Sequence, residues 1–174
     1  AAGVPAIAAN APRRYVRLAR TDGYDRLREL TPEQQRLFNI PDPMPSGGYH
    51  ERVSTLMTGM GDHSAPPASS GPAQPDEQRV AQAEAIFRSQ ATWDATMADS
   101  VVRASREHRP VFLVIGRFHT DNDGGTLQLI RRARPNLRVL TISCGRGLHP
   151  TLLETDRNRA DIVVLEMRKA EEKK

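Results

Sequence analysis

Apolar positions along this chain fall into two rhythms. Between residues 77 and 106, Ala83, Phe87, Gln90, Asp94, Met97, Val101 and Ser105 recur at spacings of three and four. That period marks one face of a long helix. Asp94 lies on the apolar stripe between Phe87 and Val101, and a carboxylate buried there is costly unless it finds a partner. Trp93 stands beside the stripe as a core anchor, with Met97 one turn on. The second rhythm is short apolar runs. Residues 111–115 (Val-Phe-Leu-Val-Ile) are continuously apolar, as expected of a parallel strand covered on both faces. Residues 126–134 read as a helix, 137–143 as a second strand and 162–165 as a third. An N-terminal run, 4–8, is a fourth candidate strand, interrupted by Pro5. Asn10 and Pro12 then supply helix-start chemistry for the segment from Arg13. Leu27, Leu30, Leu37 and Phe38 mark one or two short helices, the second capped by Thr31-Pro32-Glu33. Prolines at 41, 43 and 45 break the pattern before another helix at 49–60.

This alternation predicts an α/β fold: a small, mostly parallel sheet flanked by helices. A length of 174 residues suits one domain. Residues 1–60 give its first strand and helices. Residues 61–76 form a Pro/Ser/Gly-rich loop, 77–167 the main helix-strand-helix-strand part, and 168–174 a charged tail. With four strands at most, the sheet is small and reads as incomplete.

Aromatic residues make up 5% of the chain, so the core relies on Val, Leu, Ile and Ala. A formal charge of +4 comes from arginines spread along the chain, without the aromatic interleaving of a nucleic-acid surface, and no nucleic-acid partner is expected. The single cysteine, Cys144, excludes an internal disulfide, and its apolar run predicts a buried thiol. CxxC, CxxCH and HExxH are absent. No stretch approaches the ~20 apolar residues of a membrane span. The start Ala1-Ala2-Gly3 reads as a processed end.

Candidate chemistry gathers after the apolar run at 111–115, in Gly116-Arg117-Phe118-His119 and on through Asp121, Asp123, Gly124 and Gly125. The carboxyl end of a strand is where open α/β sheets hold ligands. His119 has two readings: a metal or haem ligand, or a histidine that orders its loop, with Asp94 as partner. Asp121-x-Asp123-x-Gly125 has glycine at the third ligand position, so the calcium-loop pattern fails and an Asp/Asn/Gly turn is the ordinary explanation. Tyr15 and Tyr49 are of a type that ligates haem iron, although such tyrosines more often pack with the hydroxyl at the surface. Arg131, Arg132 and Arg134 end a helix where cations are favoured; they serve either a solvated end or contact with an acidic partner or lipid. His50, His63, His108 and His149 are scattered. No nucleophile triad, paired carboxylates or phosphate loop stands out, so no catalytic residue is assigned.

Three stretches resemble one family: residues 3–17, with a strand and then Asn-Ala-Pro-Arg; Trp93-Asp94-x-x-Met97-Ala98; and the strand ending Gly116-x-x-His119, continued through Gly124-Gly125 and the helix and strand after it. The resemblance is to the ChaN-like haem-binding uptake proteins of the Tiki and erythromycin-esterase superfamily. It covers about 3–143, and it resembles the C-terminal portion of that domain, without the N-terminal Gly-Glu-x-His motif. The resemblance implies an α/β domain, a periplasmic place peripheral to a membrane, and haem or iron handling. Arg117 and Phe118 depart from the small residues usual before this histidine; Phe118 narrows a pocket and Arg117 adds a fixed cation. Two functions follow as expectations. One is a non-catalytic binding subunit, a reduced ChaN-like domain whose incomplete sheet docks on a larger membrane-associated protein assembly. The other is a haem- or iron-binding protein using His119.

Overall fold

The computed structural model of the chain describes residues 3–59, 76–107, 110–147 and 151–167. Its axis is a long helix. Counted in chain order, the helices are α1 (Arg13–Thr21), α2 (Gly23–Arg28), α3 (Pro32–Gln35), α4 (Gly48–Gly59), α5 (Asp76–Ala104) and α6 (Gly125–Ala133). Helix α5 has neither glycine nor proline and carries alanines at 81, 83, 85, 91, 95, 98 and 104, so its backbone preference and its length agree. Helices α1, α4 and α6 all pack on it. Small residues such as Ala91, Ala95 and Ala98 are buried at these approaches. Thr92, Thr96 and Ser100, four residues apart, donate to the carbonyls of Arg88, Thr92 and Thr96 at 2.8, 2.8 and 3.0 Å. Their stripe is therefore buried with its hydroxyls satisfied.

Two apolar clusters flank α5. In the first, Ala11, Tyr15, Val16, Ala19, Leu27 and Phe38 pack together, with Trp93 against them. In the second, Tyr49, Val53, Ile86 and Phe87 meet Met44 and Phe118. The expected cap at Thr31 is a full capping box: the Thr31 hydroxyl accepts from Gln34 N–H, the Gln34 side chain accepts from Thr31 N–H, and Pro32 opens the helix.

The sheet of the described residues has two parallel strands, β1 (Ile142–Gly147) and β2 (Ile162–Met167), with Ile142 opposite Ile162 and Cys144 opposite Val164. Opposed residues share a face, and all four of these are exposed. On the other face Ser143 is buried and donates to Asp121 Oδ2 at 3.0 Å.

The α/β class is as expected, but four expected strands become two. Residues 4–8 carry no strand, and Val4 and Ile7 are exposed; Pro5 lacks a donor, and no described segment pairs with them. Residues 111–115 likewise have no ladder. Their side chains still alternate: Leu113 and Ile115 are half-buried, while Phe112 and Val114 are 86% and 82% exposed. The second expected strand, 137–143, starts late, at Ile142. An apolar run records a need for cover on both faces, not which neighbour supplies it. For the same reason Cys144, expected to be buried, is exposed and free. Most of the 61–76 loop, the tail, His63, His108 and His149 lie outside the described residues.

Cluster and open face should differ sharply in energetic weight. Leu27→Ala, at a position with no exposure, should cost ~2–5 kcal/mol in a denaturant titration. Phe112→Ala should stay within about 0.5 kcal/mol.

Candidate functional site

Asp94 is fully buried on α5, and three donors converge on its carboxylate. Tyr49, near the start of α4, donates its hydroxyl to Oδ2 at 2.5 Å. Thr126, in the first turn of α6, donates to Oδ1 at 2.6 Å. His119 Nδ1 lies 2.8 Å from the same Oδ1. The partner that the sequence pattern demanded for Asp94 is thus His119 together with two hydroxyls. A carboxylate only accepts, so Nδ1 carries a proton and donates to it, and in the neutral imidazole the lone pair is at Nε2. No described residue hydrogen-bonds Nε2, and no buried side-chain atom among the described residues lacks a partner, so Nε2 is in reach of solvent.

Backbone geometry holds the ring in place. Residues 117–119 form a 3-10 turn, closed by His119 N–H to Gly116 O at 3.0 Å and Asp121 N–H to Arg117 O at 2.7 Å. The chain then reverses through Asn122 and Asp123, both left-handed with φ of 50° and 58°, a conformation Asn and Asp tolerate best. Arg52 on α4 ties this reversal down by donating to the carbonyls of Asp121 and Asn122. Gly124 and Gly125 are required by space rather than by φ. A Cβ on Gly124 would overlap the His119 carbonyl, and one on Gly125 would overlap the Asp94 carboxylate and the Tyr49 ring.

The expected residues separate into those the fold brings together and those it does not. Asp94, Gly116, His119, Gly124 and Gly125 form one unit. Asp121 instead faces Ser143 and Arg159, and Asp123 pairs with Arg131 at 2.8 Å. Neither acts as a co-ligand, and no group of three metal-ligating side chains occurs among the described residues. Arg132 donates to Pro43 O. Tyr15 is packed against Phe38 in the first cluster. Tyr49 belongs to the site, but as a donor to Asp94 and not as a free phenol. His50 pairs with Glu84 at 2.8 Å. Sequence reading missed Thr126, Arg52 and Arg159. Only Thr126 carried a signal, a hydroxyl in the first turn after Gly-Gly.

This arrangement suits a ligating imidazole. A histidine whose second nitrogen is anchored by a carboxylate has its tautomer and orientation fixed, the usual support of a metal-bound histidine. The described residues fit haem iron or another metal through one nitrogen, His119 Nε2.

Burial first, and then the Asp94 charge, push the Tyr49 hydroxyl far above its ordinary value of 10.0. Burial also raises Tyr24, to about 12. In both, the unfolded chain releases its proton first. Their contribution to stability is therefore complete below pH 10 and is lost as pH rises above it. Denaturation midpoints measured from pH 9 to 11.5 should fall, and the fall should be shallower in the double variant Tyr24→Phe/Tyr49→Phe.

Curated proteins and solved structures give no match to the chain. Residues 1–130 match the family model described as haem-binding uptake, Tiki superfamily, ChaN. The match takes in the helices, the Asp94–His119 pair and most of α6. With most of its length and its site inside that match, the chain belongs to the ChaN family of haem-binding uptake proteins.

Proposed function

We propose that this protein binds haem or iron, with His119 as a ligand and Asp94 as the group that orients it. The observation carrying this reading is the buried Asp94 carboxylate holding His119 Nδ1 at 2.8 Å while Nε2 is left without a partner among the described residues. His119 Nε2 would hold the iron of a bound haem, which would supply the metal centre. The chain supplies the nitrogen, its tautomer and its direction. Tyr49 and Thr126 act one layer back, on the carboxylate. Membership of a haem-uptake family supports an extracytoplasmic place. No helix among the described residues is long and apolar enough to cross a membrane.

Titration of the purified chain with haem, followed at the Soret band, tests this. The wild type should give a saturable, shifted band. His119→Ala should abolish the shift, and Asp94→Asn should weaken binding about 10–100-fold. A saturating titration without a band, or one indifferent to His119→Ala, would sink the reading.

A second reading, that the domain docks on a larger membrane-associated assembly as a non-catalytic subunit, is favoured by one specific observation. Phe112 and Val114 on the unpaired segment, and Ile142, Ile162 and Val164 on the sheet, are all exposed. Large apolar side chains left exposed on both segments favour contact with a partner. Protein isolated from its native source under mild conditions should run in a particle much heavier than 19.3 kDa, and Phe112→Ser/Val114→Ser should release it. A native particle of monomer mass would exclude docking.

A further inference from the structure

Arg117, two residues before His119, has no part in the network around Asp94. Its backbone is fixed by the same 3-10 turn, since its carbonyl accepts from the N–H groups of Thr120 and Asp121 at 3.0 and 2.7 Å. Its side chain lies across β1 at Gly145. A Cβ built on that glycine would stand 3.0 Å from Arg117 Nη1 and 3.9 Å from Arg159 Nη1. Two guanidinium groups therefore converge on one glycine of β1.

Their surroundings are unequal. Arg159 is largely buried and has two carboxylates, pairing with Asp156 and lying 3.9 Å from Asp121. Asp121 is also occupied by the Ser143 hydroxyl. Arg117 is exposed and, among the described residues, pairs with no carboxylate. The two nearby acids are already committed to Arg159, so a second guanidinium beside it is electrostatically uncompensated. Guanidinium is a fixed cation whose planar fork matches a carboxylate. One short turn thus carries, two residues apart, the imidazole held by Asp94 and a guanidinium that pairs with no carboxylate among the described residues.

We propose that Arg117 binds a carboxylate of the same ligand whose metal His119 holds, making the site selective for a porphyrin that carries free acid groups. This rests on the haem-binding reading above. Two-point recognition of this kind fixes a ligand's orientation, which a single metal–nitrogen bond leaves free to rotate.

The test compares haem with its dimethyl ester, which keeps the iron and loses both negative charges. The wild-type chain should bind the diacid about tenfold more tightly than the ester. That preference should shrink as salt is raised. Arg117→Gln should weaken the diacid to the level of the ester while leaving the ester's affinity and the Soret position unchanged. His119→Ala should abolish the shifted band with both. Equal affinity for diacid and ester in the wild type, or an equal loss for both in Arg117→Gln, would overturn the proposal while the haem-binding reading stands. Absence of a band with either porphyrin would overturn both. Arg117 is exposed, so circular dichroism of the variant should match the wild type.

Discussion

A carboxylate sealed from water must find its donors within the protein, and Asp94 draws three from three segments: Tyr49 on α4, His119 on the loop after 111–115, and Thr126 on α6. Buried charge without such donors costs several kcal/mol, so the second cluster forms only when α4, α5, α6 and the His119 loop arrive together. The two glycines follow from this convergence: at 124 and 125 any side chain would occupy the space of the network itself. One interaction therefore sets the placement of α4, the entry into α6 and the direction of the His119 ring. The contact that neutralises a cost of folding also leaves Nε2 available.

The first cluster makes none of the hydrogen bonds of that network. Tyr15, Leu27 and Phe38 pack with Trp93 of α5 by ordinary apolar contact beside a capped short helix. The two halves of the core thus differ in kind. One is held by apolar area, the other by a polar knot wrapped in Phe87, Phe118 and Val53. The second kind specifies geometry more sharply, because hydrogen bonds tolerate less displacement than apolar contacts do.

How much of this was legible in the sequence divides along a physical line. Local signals carried well: the 3–4 spacing gave α5 almost to its ends, Thr31-Pro32 gave its capped turn, and the place of Asp94 on an apolar stripe demanded a partner, with His119 the natural candidate. Non-local pairing did not carry. Residues 4–8 and 111–115 have the composition of strands, but a ladder needs a neighbour, and no run of Val and Ile states where its neighbour is. Cys144 was misread for the same reason, as its face depends on what covers the sheet. Tyr49 was visible as a tyrosine near a helix start. Its role as donor rather than ligand depended on a contact 45 positions away, which periodicity cannot express.

The open face and the site are linked through one stretch of chain. Residues 111–115 have no ladder on either side, yet they end in the turn that holds Arg117 and His119. The turn is fixed at its far end by Asp94, Arg52 and the tie from Asn122 N–H to Arg159 O at 2.8 Å; its near end hangs on an unpaired segment. Local opening is easiest where backbone hydrogen bonds are few and side chains exposed, and this segment is both. An element laid against Phe112 and Val114 would therefore do more than remove apolar area from water. It would restrain the entry to the turn, narrowing the positions open to the imidazole and the guanidinium together. If His119 binds a ligand, a partner covering this face would be coupled to that binding without touching the ligand.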